Sequence, residues 1–222
     1  MRVKIYQMDM DKYGTKFMDF DYTREKAGHI HPELYEEVFN ADIDETDLNE
    51  IYERFNTIHH PLFRGHSLSV SDVIVNDDGA FFVDSIGFKK IDFDESQTHK
   101  PDNLMRVVYV EPHRPAFEAE ILHEYEAESK AVCGLIECVY NGDDTCIVCN
   151  EESKLIGMDG NRRLDNGVSI IAGPFFVCGE TLDDFRGLTD EETAKYLDRF
   201  AEPEDISREE VEADMGFIFY SF

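Results

Sequence analysis

Short apolar segments separated by turn sequences constrain the fold of this 222-residue chain more than any other feature. The sequence Asn76-Asp77-Asp78-Gly79 lies between two such segments, and Asn141-Gly142-Asp143-Asp144 joins segments 132–140 and 145–150. Asn, Asp and Gly tolerate the left-handed backbone conformations that tight hairpin turns require. Each pair of segments is therefore predicted to form an antiparallel β-hairpin.

Helical patterns occupy other parts of the sequence. Between Thr46, a suitable N-cap, and residue 56, apolar side chains recur at the spacing of one helix face. Further helices are predicted at 115–130, at 190–200 after the capping box Thr189…Glu192, and after the capping box Ser207…Glu210. Hairpins with separate helices indicate an α+β fold, with short and mostly antiparallel sheets and helices packed on one side.

The sequence divides into two small domains. Residues 93–103 are polar, contain a proline and are interpreted as a linker between a domain at 1–92 and a second domain at 104–202. The remaining residues, 203–222, are predicted to form an acidic C-terminal helix, ended by Gly216, and a final strand.

The chain is strongly acidic, with 49 Asp and Glu against 21 Lys and Arg and a net charge of −28. Such an excess costs stability through self-repulsion and exceeds what solubility requires. A composition that is 42% hydrophobic supplies a core, so disorder does not explain the charge. The charge argues against direct nucleic-acid binding and indicates a positively charged partner, because duplex DNA is itself an anion with roughly one charge per 1.7 Å.

Targeting signals are not evident in the sequence. No apolar segment approaches the ~20 residues that cross a bilayer, and the first residues lack the features of a signal peptide. A cytoplasmic protein without membrane contact is expected, since an anionic lipid surface would repel it.

The cysteines and histidines do not form a complete set of metal ligands. Five cysteines without a secretion signal are expected to be free thiols, and Cys146 and Cys149 have no second pair that would complete a zinc site. His29 and His31 form one isolated pair, and His59, His60 and His66 surround a turn. Neither a cofactor nor a set of catalytic residues is expected. Arg162 and Arg163 are expected to pair with nearby carboxylates.

Two parts of the chain resemble known families. Residues 51–91, with Arg64-Gly65-His66-Ser67-Leu68-Ser69-Val70-Ser71-Asp72 and Asp84-Ser85-Ile86-Gly87-Phe88, resemble the YodL-like family. Residues 105–200, with Val148-Cys149-Asn150-Glu151-Glu152 and Ile170-Ile171-Ala172-Gly173, resemble domain of unknown function 3846. The resemblance implies a setting in conjugative elements and phages, near antirestriction genes, and supplies no catalytic residues.

Charge and resemblance together predict an accessory protein of a mobile element. It would bind a basic nucleic-acid-binding host protein and inhibit that defence protein by DNA mimicry, as antirestriction or anti-CRISPR proteins do. Two alternatives remain open: a metal-dependent enzyme that uses His59, His60 and His66, and a non-catalytic adaptor of the DNA-transfer machinery. The oligomeric state is also open. The partner-binding residues are predicted to be Asp47, Glu50, Glu53, Glu118, Glu120, Glu124, Glu128, Glu209, Glu210 and Asp214.

Overall fold

The computed structural model describes residues 1–164, 167 and 169–215. The chain divides into two compact units between Asp102 and Asn103. Each unit contains an antiparallel sheet and short helices, so the predicted α+β class is confirmed. Within the described residues, every helix is too short or too polar to span a bilayer.

The first unit contains a five-stranded antiparallel sheet. The strands are β1 (Arg2–Met8), β2 (Tyr35–Asp42), β3 (Val73–Asn76), β4 (Gly79–Val83) and β5 (Phe88–Ile91). Their order in the sheet is β2-β1-β3-β4-β5. The predicted turn at 76–79 joins β3 to β4, with Asn76 opposite Gly79 in the register. Gly79 has φ +123°, which favours a residue without a side chain.

Two helices accompany this sheet, α1 (Phe20–Ala27) and α2 (Leu48–Thr57). The predicted helix near 47–56 is confirmed as α2, although Asp47 and not Thr46 is its N-cap. The buried side of α2 packs against an aromatic core, in which the Phe55 ring lies 4.8 Å from that of Phe39. The first of these helices, α1, begins after Asp19, whose carboxylate accepts a hydrogen bond from the Tyr22 amide.

Most of the stretch interpreted as a linker packs on the first unit. The Phe93 ring lies 5.2 Å from that of Tyr6, and Glu95 accepts a hydrogen bond of 2.5 Å from the Tyr6 hydroxyl. His99 forms an isolated parallel bridge with Glu36 on the outer edge of β2. The segment thus covers an edge strand that would otherwise expose unpaired backbone groups.

The second unit contains a larger antiparallel sheet and a separate hairpin. The strands are β6 (Leu104–Val110), β7 (Phe117–Leu122), β8 (Ile136–Tyr140), β9 (Thr145–Asn150), β10 (Gly160–Leu164), β11 (Ser169–Ala172), β12 (Phe175–Glu180) and β13 (Phe185–Arg186). The sheet has the order β7-β6-β12-β9-β8, with β13 paired to β12, and β10 and β11 form the hairpin. The predicted turn at 141–144 joins β8 to β9.

Three helices belong to this unit: α3 (Tyr125–Ala131), α4 (Asp190–Arg199) and α5 (Arg208–Asp214). Both predicted capping boxes are present, at Thr189 and at Ser207. Tyr196 and Phe200 pack into a core cluster on the sheet. Gly216 and the final strand predicted at 217–222 lie outside the described residues.

The helix predicted at 115–130 is wrong over most of its length, and only residues from Tyr125 onward are helical. Phe117, Ala119 and Ile121 are buried in alternation along β7, and α3 starts only at Tyr125. The apolar residues of this stretch fit both a helical and an alternating pattern. Pairing of β7 with β6 along six residues stabilises the strand over the helix.

Candidate functional site

Three of the predicted partner-binding residues share one exposed helix face. Asp47, Glu50 and Glu53 are exposed, whereas Ile51 and Phe55 of the same helix are fully buried. Successive carboxylates on this face are three residues apart, which is about 4.5 Å along a helix axis. We refer to Asp47, Glu50 and Glu53 as the α2 acidic face. Because α2 is packed on the core, its backbone is already ordered before a partner binds, and binding through this face carries no entropy cost for ordering it.

The four glutamates predicted on one helix of the second half are instead divided among different elements. Glu118 and Glu120 lie on β7, and Glu124 precedes α3. The Glu118 carboxylate accepts hydrogen bonds of 2.7 and 3.0 Å from the Arg106 guanidinium, so it is largely neutralised within the unit. These residues therefore do not form the single acidic face that the sequence predicted.

Glu128 was expected to face solvent, but it is 5% exposed. It projects from α3 toward His123, with 4.0 Å between Oε1 and Nε2, and His123 also contacts Asp184 at 3.0 Å. Burial raises the pKa of the Glu128 carboxyl, and the nearby His123 opposes that rise. This burial is not predictable from the sequence, because the helical pattern at 115–130 places Glu128 on the polar side of a longer helix.

Glu128 lines a cleft of about 300 Å³ whose walls carry further acidic side chains. Tyr140 and Leu182 are exposed at the cleft and give it apolar walls beside the charges. A long cationic side chain, which combines a charged head with an apolar stem, matches such a lining. We call this the β8–β13 cleft, and its chemistry-bearing residues are Glu128, Cys138, Tyr140, Glu180, Asp183 and Asp184.

An acid-lined groove is also present in the first unit. It runs from the β3–β4 turn to the segment after β5 and contains one cation, Lys90, whose ammonium donates to the Asp78 carbonyl oxygen. Sequence reasoning assigned these acidic residues to turns and a linker and did not bring them together. We call it the hairpin groove, and its carboxylates are Asp77, Asp78, Asp92, Asp94 and Glu95.

The predicted residues of the C-terminal helix are mostly engaged inside the second unit. Glu210 belongs to the capping box and pairs with Arg163 at 2.6 Å, and Asp214 pairs with Lys154 at 2.5 Å. Glu209 is exposed in the first turn of α5. Of these three residues, only Glu209 lacks an ion-pair partner among the described residues.

The three histidines around the turn at 59–66 do not converge. His60 is fully buried, accepts a hydrogen bond from the Leu62 amide and lies 5.1 Å from the Phe39 ring. His59 is exposed, with its Nε2 3.2 Å from the Ser67 hydroxyl. In the part of the chain that the structure describes, no three His, Cys, Asp or Glu side chains are arranged to hold a metal ion.

A buried polar network lies behind the motif at residues 64–72. The Asp72 carboxylate accepts hydrogen bonds from the Gln7 amide at 2.9 Å and from the Ser69 amide at 2.8 Å. The Gln7 side chain also bonds the His66 backbone, and a Cβ at position 65 would lie 2.2 Å from its oxygen, so glycine is required there. Burial raises the pKa of Asp72 to about 7, although both hydrogen bonds oppose the rise.

Two family models match the chain. Residues 2–93 match the YodL-like domain, and residues 105–201 match a domain of unknown function, DUF3846. The resemblance of the two halves is thereby confirmed in that order, and each match covers less than half of the chain. No curated protein and no solved structure shows significant similarity to it.

Proposed function

We propose that this protein binds a basic nucleic-acid-binding host protein and inhibits it by occupying the surface that DNA would occupy. In this proposal the protein acts in the cytoplasm and is encoded on a mobile element, as antirestriction and anti-CRISPR proteins are. The resemblance to the two families supports the origin in a mobile element. The observation that carries it is the presence of rigid acidic surfaces in each unit: the α2 acidic face, the hairpin groove and the β8–β13 cleft.

The distribution of cations supports the same proposal. Most Lys and Arg side chains lie within 4.0 Å of a carboxylate of their own unit, as with Arg54 and Glu45 at 3.3 Å or Arg186 and Glu192 at 2.7 Å. Such internal pairs neutralise charges one for one, so the excess of 28 negative charges remains for a partner. Exposed charges of one sign steer association with an oppositely charged surface.

Direct DNA binding would contradict this proposal. We expect no association between this protein and a labelled DNA duplex in fluorescence anisotropy at low salt, because phosphates and carboxylates repel each other. Micromolar binding under these conditions would show that the acidic surfaces do not act in place of DNA.

Neutralising the α2 acidic face is expected to weaken partner binding. In the triple variant Asp47→Asn, Glu50→Gln, Glu53→Gln, the dissociation constant for a partner isolated by pull-down should rise about tenfold or more, since the loss of even one close interfacial charge pair costs roughly 1.5 kcal/mol or more. Asn at position 47 retains the cap of α2. Isothermal titration calorimetry measures the change.

A control variant with the same change in charge separates location from net charge. Asp9, Asp21 and Glu25 are exposed residues of the same unit outside the α2 acidic face. Their replacement by Asn, Asn and Gln should leave the dissociation constant within about threefold of that of the parent, because salt screens exposed charges that do not contact the partner directly. Equal weakening in both variants would contradict a specific role of α2.

A further inference from the structure

We infer that Cys138, Cys146 and Cys178 form a thiol–disulfide relay. In this relay a small uncharged or cationic disulfide reacts at Cys138, and the oxidation ends as a disulfide between Cys146 and Cys178. The inference does not depend on the proposed function.

The three thiols lie in a row on one face of the large sheet. Cys146 of β9 is directly opposite Cys178 of β12, and their Sγ atoms are 3.5 Å apart. Cys138 of β8 is opposite Val148, two residues from Cys146, and its thiol hydrogen-bonds that of Cys146. Because side chains of a strand alternate with a period of two, all three project to the same face. The Cys146 thiol thus contacts a thiol on either side. A transient bond between Cys146 and Cys138 requires a small movement of the edge strand β8, because the Cα atoms of diagonal neighbours are about 7–8 Å apart.

The backbone of the central pair suits a disulfide. Directly opposite residues of antiparallel strands have Cα atoms about 4.5–5.5 Å apart, which is within the usual range of about 4.4–6.8 Å for bridged cysteines. Side-chain rotation alone can therefore close the distance between Cys146 and Cys178. In the resting protein, both are free thiols and fully buried.

Access to the row is limited to one end. Cys138 is partly exposed and lines the β8–β13 cleft, whereas Cys146 and Cys178 are 0% exposed. An external disulfide therefore reaches Cys138 first. The carboxylates of the cleft repel anionic reagents and attract cationic ones. The hydrogen bond with Cys146 and burial raise the pKa of Cys138, so the reaction is slow at neutral pH and accelerates in alkali.

With the cationic disulfide cystamine, the exchange proceeds in three balanced steps. The Cys138 thiolate attacks one cystamine sulfur, and cysteamine leaves and takes a proton. Deprotonated Cys146 then attacks the Cys138 sulfur, which breaks the mixed disulfide and releases the second cysteamine. Finally, Cys178 attacks the Cys146 sulfur and Cys138 leaves as a thiolate that is reprotonated. Two thiols are oxidised to one disulfide, and cystamine is reduced to two cysteamines.

Peptide mapping of the full chain tests the relay. Every protein carries Cys133→Ser, which removes an exposed thiol. The reduced protein is treated with cystamine at mildly alkaline pH, quenched by alkylation and mapped without reduction, with cleavage at Tyr140 to separate Cys138 from Cys146. We expect a cysteamine adduct at Cys138 first and a Cys146–Cys178 disulfide later. Cystamine should react at least about tenfold faster than the anionic glutathione disulfide.

Matched alanine variants identify the point of attack. Cys138→Ala should slow formation of the Cys146–Cys178 disulfide at least about tenfold, because the remaining thiols are buried. Cys149→Ala should leave the rate unchanged, since Cys149 packs in the core cluster with Ile147 and Val177. Absence of a Cys146–Cys178 disulfide in folded protein, or an unchanged rate in Cys138→Ala, would overturn the relay. If Cys138→Ala fails to fold by circular dichroism, the order of adducts in the parent protein decides, and a disulfide that precedes the Cys138 adduct overturns it.

Discussion

Replacing Arg162 with Met is expected to destabilise the second unit by about 2–4 kcal/mol, because three backbone carbonyl groups would each lose a hydrogen-bond donor. Arg162 is 2% exposed, and its guanidinium donates to the carbonyl oxygens of Asn161, Arg114 and Phe200 at 2.7 to 3.0 Å. Because these acceptors are backbone atoms, they remain in the variant after the guanidinium has been removed. Burial lowers the pKa of Arg162, because it disfavours the charged guanidinium, and these hydrogen bonds offset that cost of desolvation.

The neighbouring Arg163 supplies the control. Its side chain is partly exposed and pairs with Glu204 and Glu210 at 2.8 and 2.6 Å. Arg163→Gln should cost only about 1 kcal/mol or less, as exposed ion pairs do. Urea unfolding followed by hydrogen exchange of peptides from the second unit gives both values. A loss below about 1 kcal/mol in Arg162→Met would contradict the role assigned to the buried guanidinium.

Asp72→Asn is expected to remove a pH dependence from the stability of the first unit. Burial raises the pKa of the Asp72 carboxyl from its ordinary value of 3.8 to about 7 in the folded chain. A raised pKa in the folded state means that the folded chain binds the proton more tightly than the unfolded chain. The contribution of Asp72 to the free energy of unfolding is therefore complete below about pH 4 and is lost as pH rises through 7. The shift corresponds to about 4 kcal/mol at most.

The measurement is the difference in unfolding free energy between parent and variant as a function of pH. The free energies are obtained from hydrogen exchange in urea, observed on peptides of the first unit. The difference between parent and variant should change by several kcal/mol, up to about 4 kcal/mol, between about pH 4 and pH 8. Asp78→Asn, the same change at an exposed turn residue, should leave the pH profile of the parent unaltered. A profile for Asp72→Asn that parallels the parent would contradict this account, because it would show that the pKa of Asp72 is the same in the folded and the unfolded chain.

Local signals in the sequence predicted the hairpins and the helix starts. The turns at 76–79 and 141–144 and the capping boxes at Thr189 and Ser207 were correct, because each depends on residues close in the chain. The helix at 115–130 was wrong over most of its length, since pairing of β7 with β6 is a tertiary contact that overrides local preference.

The acidic surfaces were predictable only in part. The α2 acidic face followed from helical spacing alone. Glu128 and Arg162 could not be placed, because burial of a charged side chain depends on neighbours distant in sequence, such as His123 and the Phe200 carbonyl. Arg163 pairs with carboxylates as expected, whereas the Arg162 guanidinium is held by oxygens of carbonyl groups. The hairpin groove likewise assembles turn residues that carry no motif.

Competition with DNA tests the central claim most directly. Labelled duplex is bound to each member of a panel of purified restriction endonucleases and RNA-guided nucleases, and this protein is titrated in while fluorescence anisotropy is followed. We expect displacement of DNA from at least one enzyme, weakening steeply as salt rises because exposed charges are screened beyond ~10 Å at 0.1 M. Displacement from no enzyme at a large excess of this protein, or displacement that does not depend on salt, would contradict the proposal.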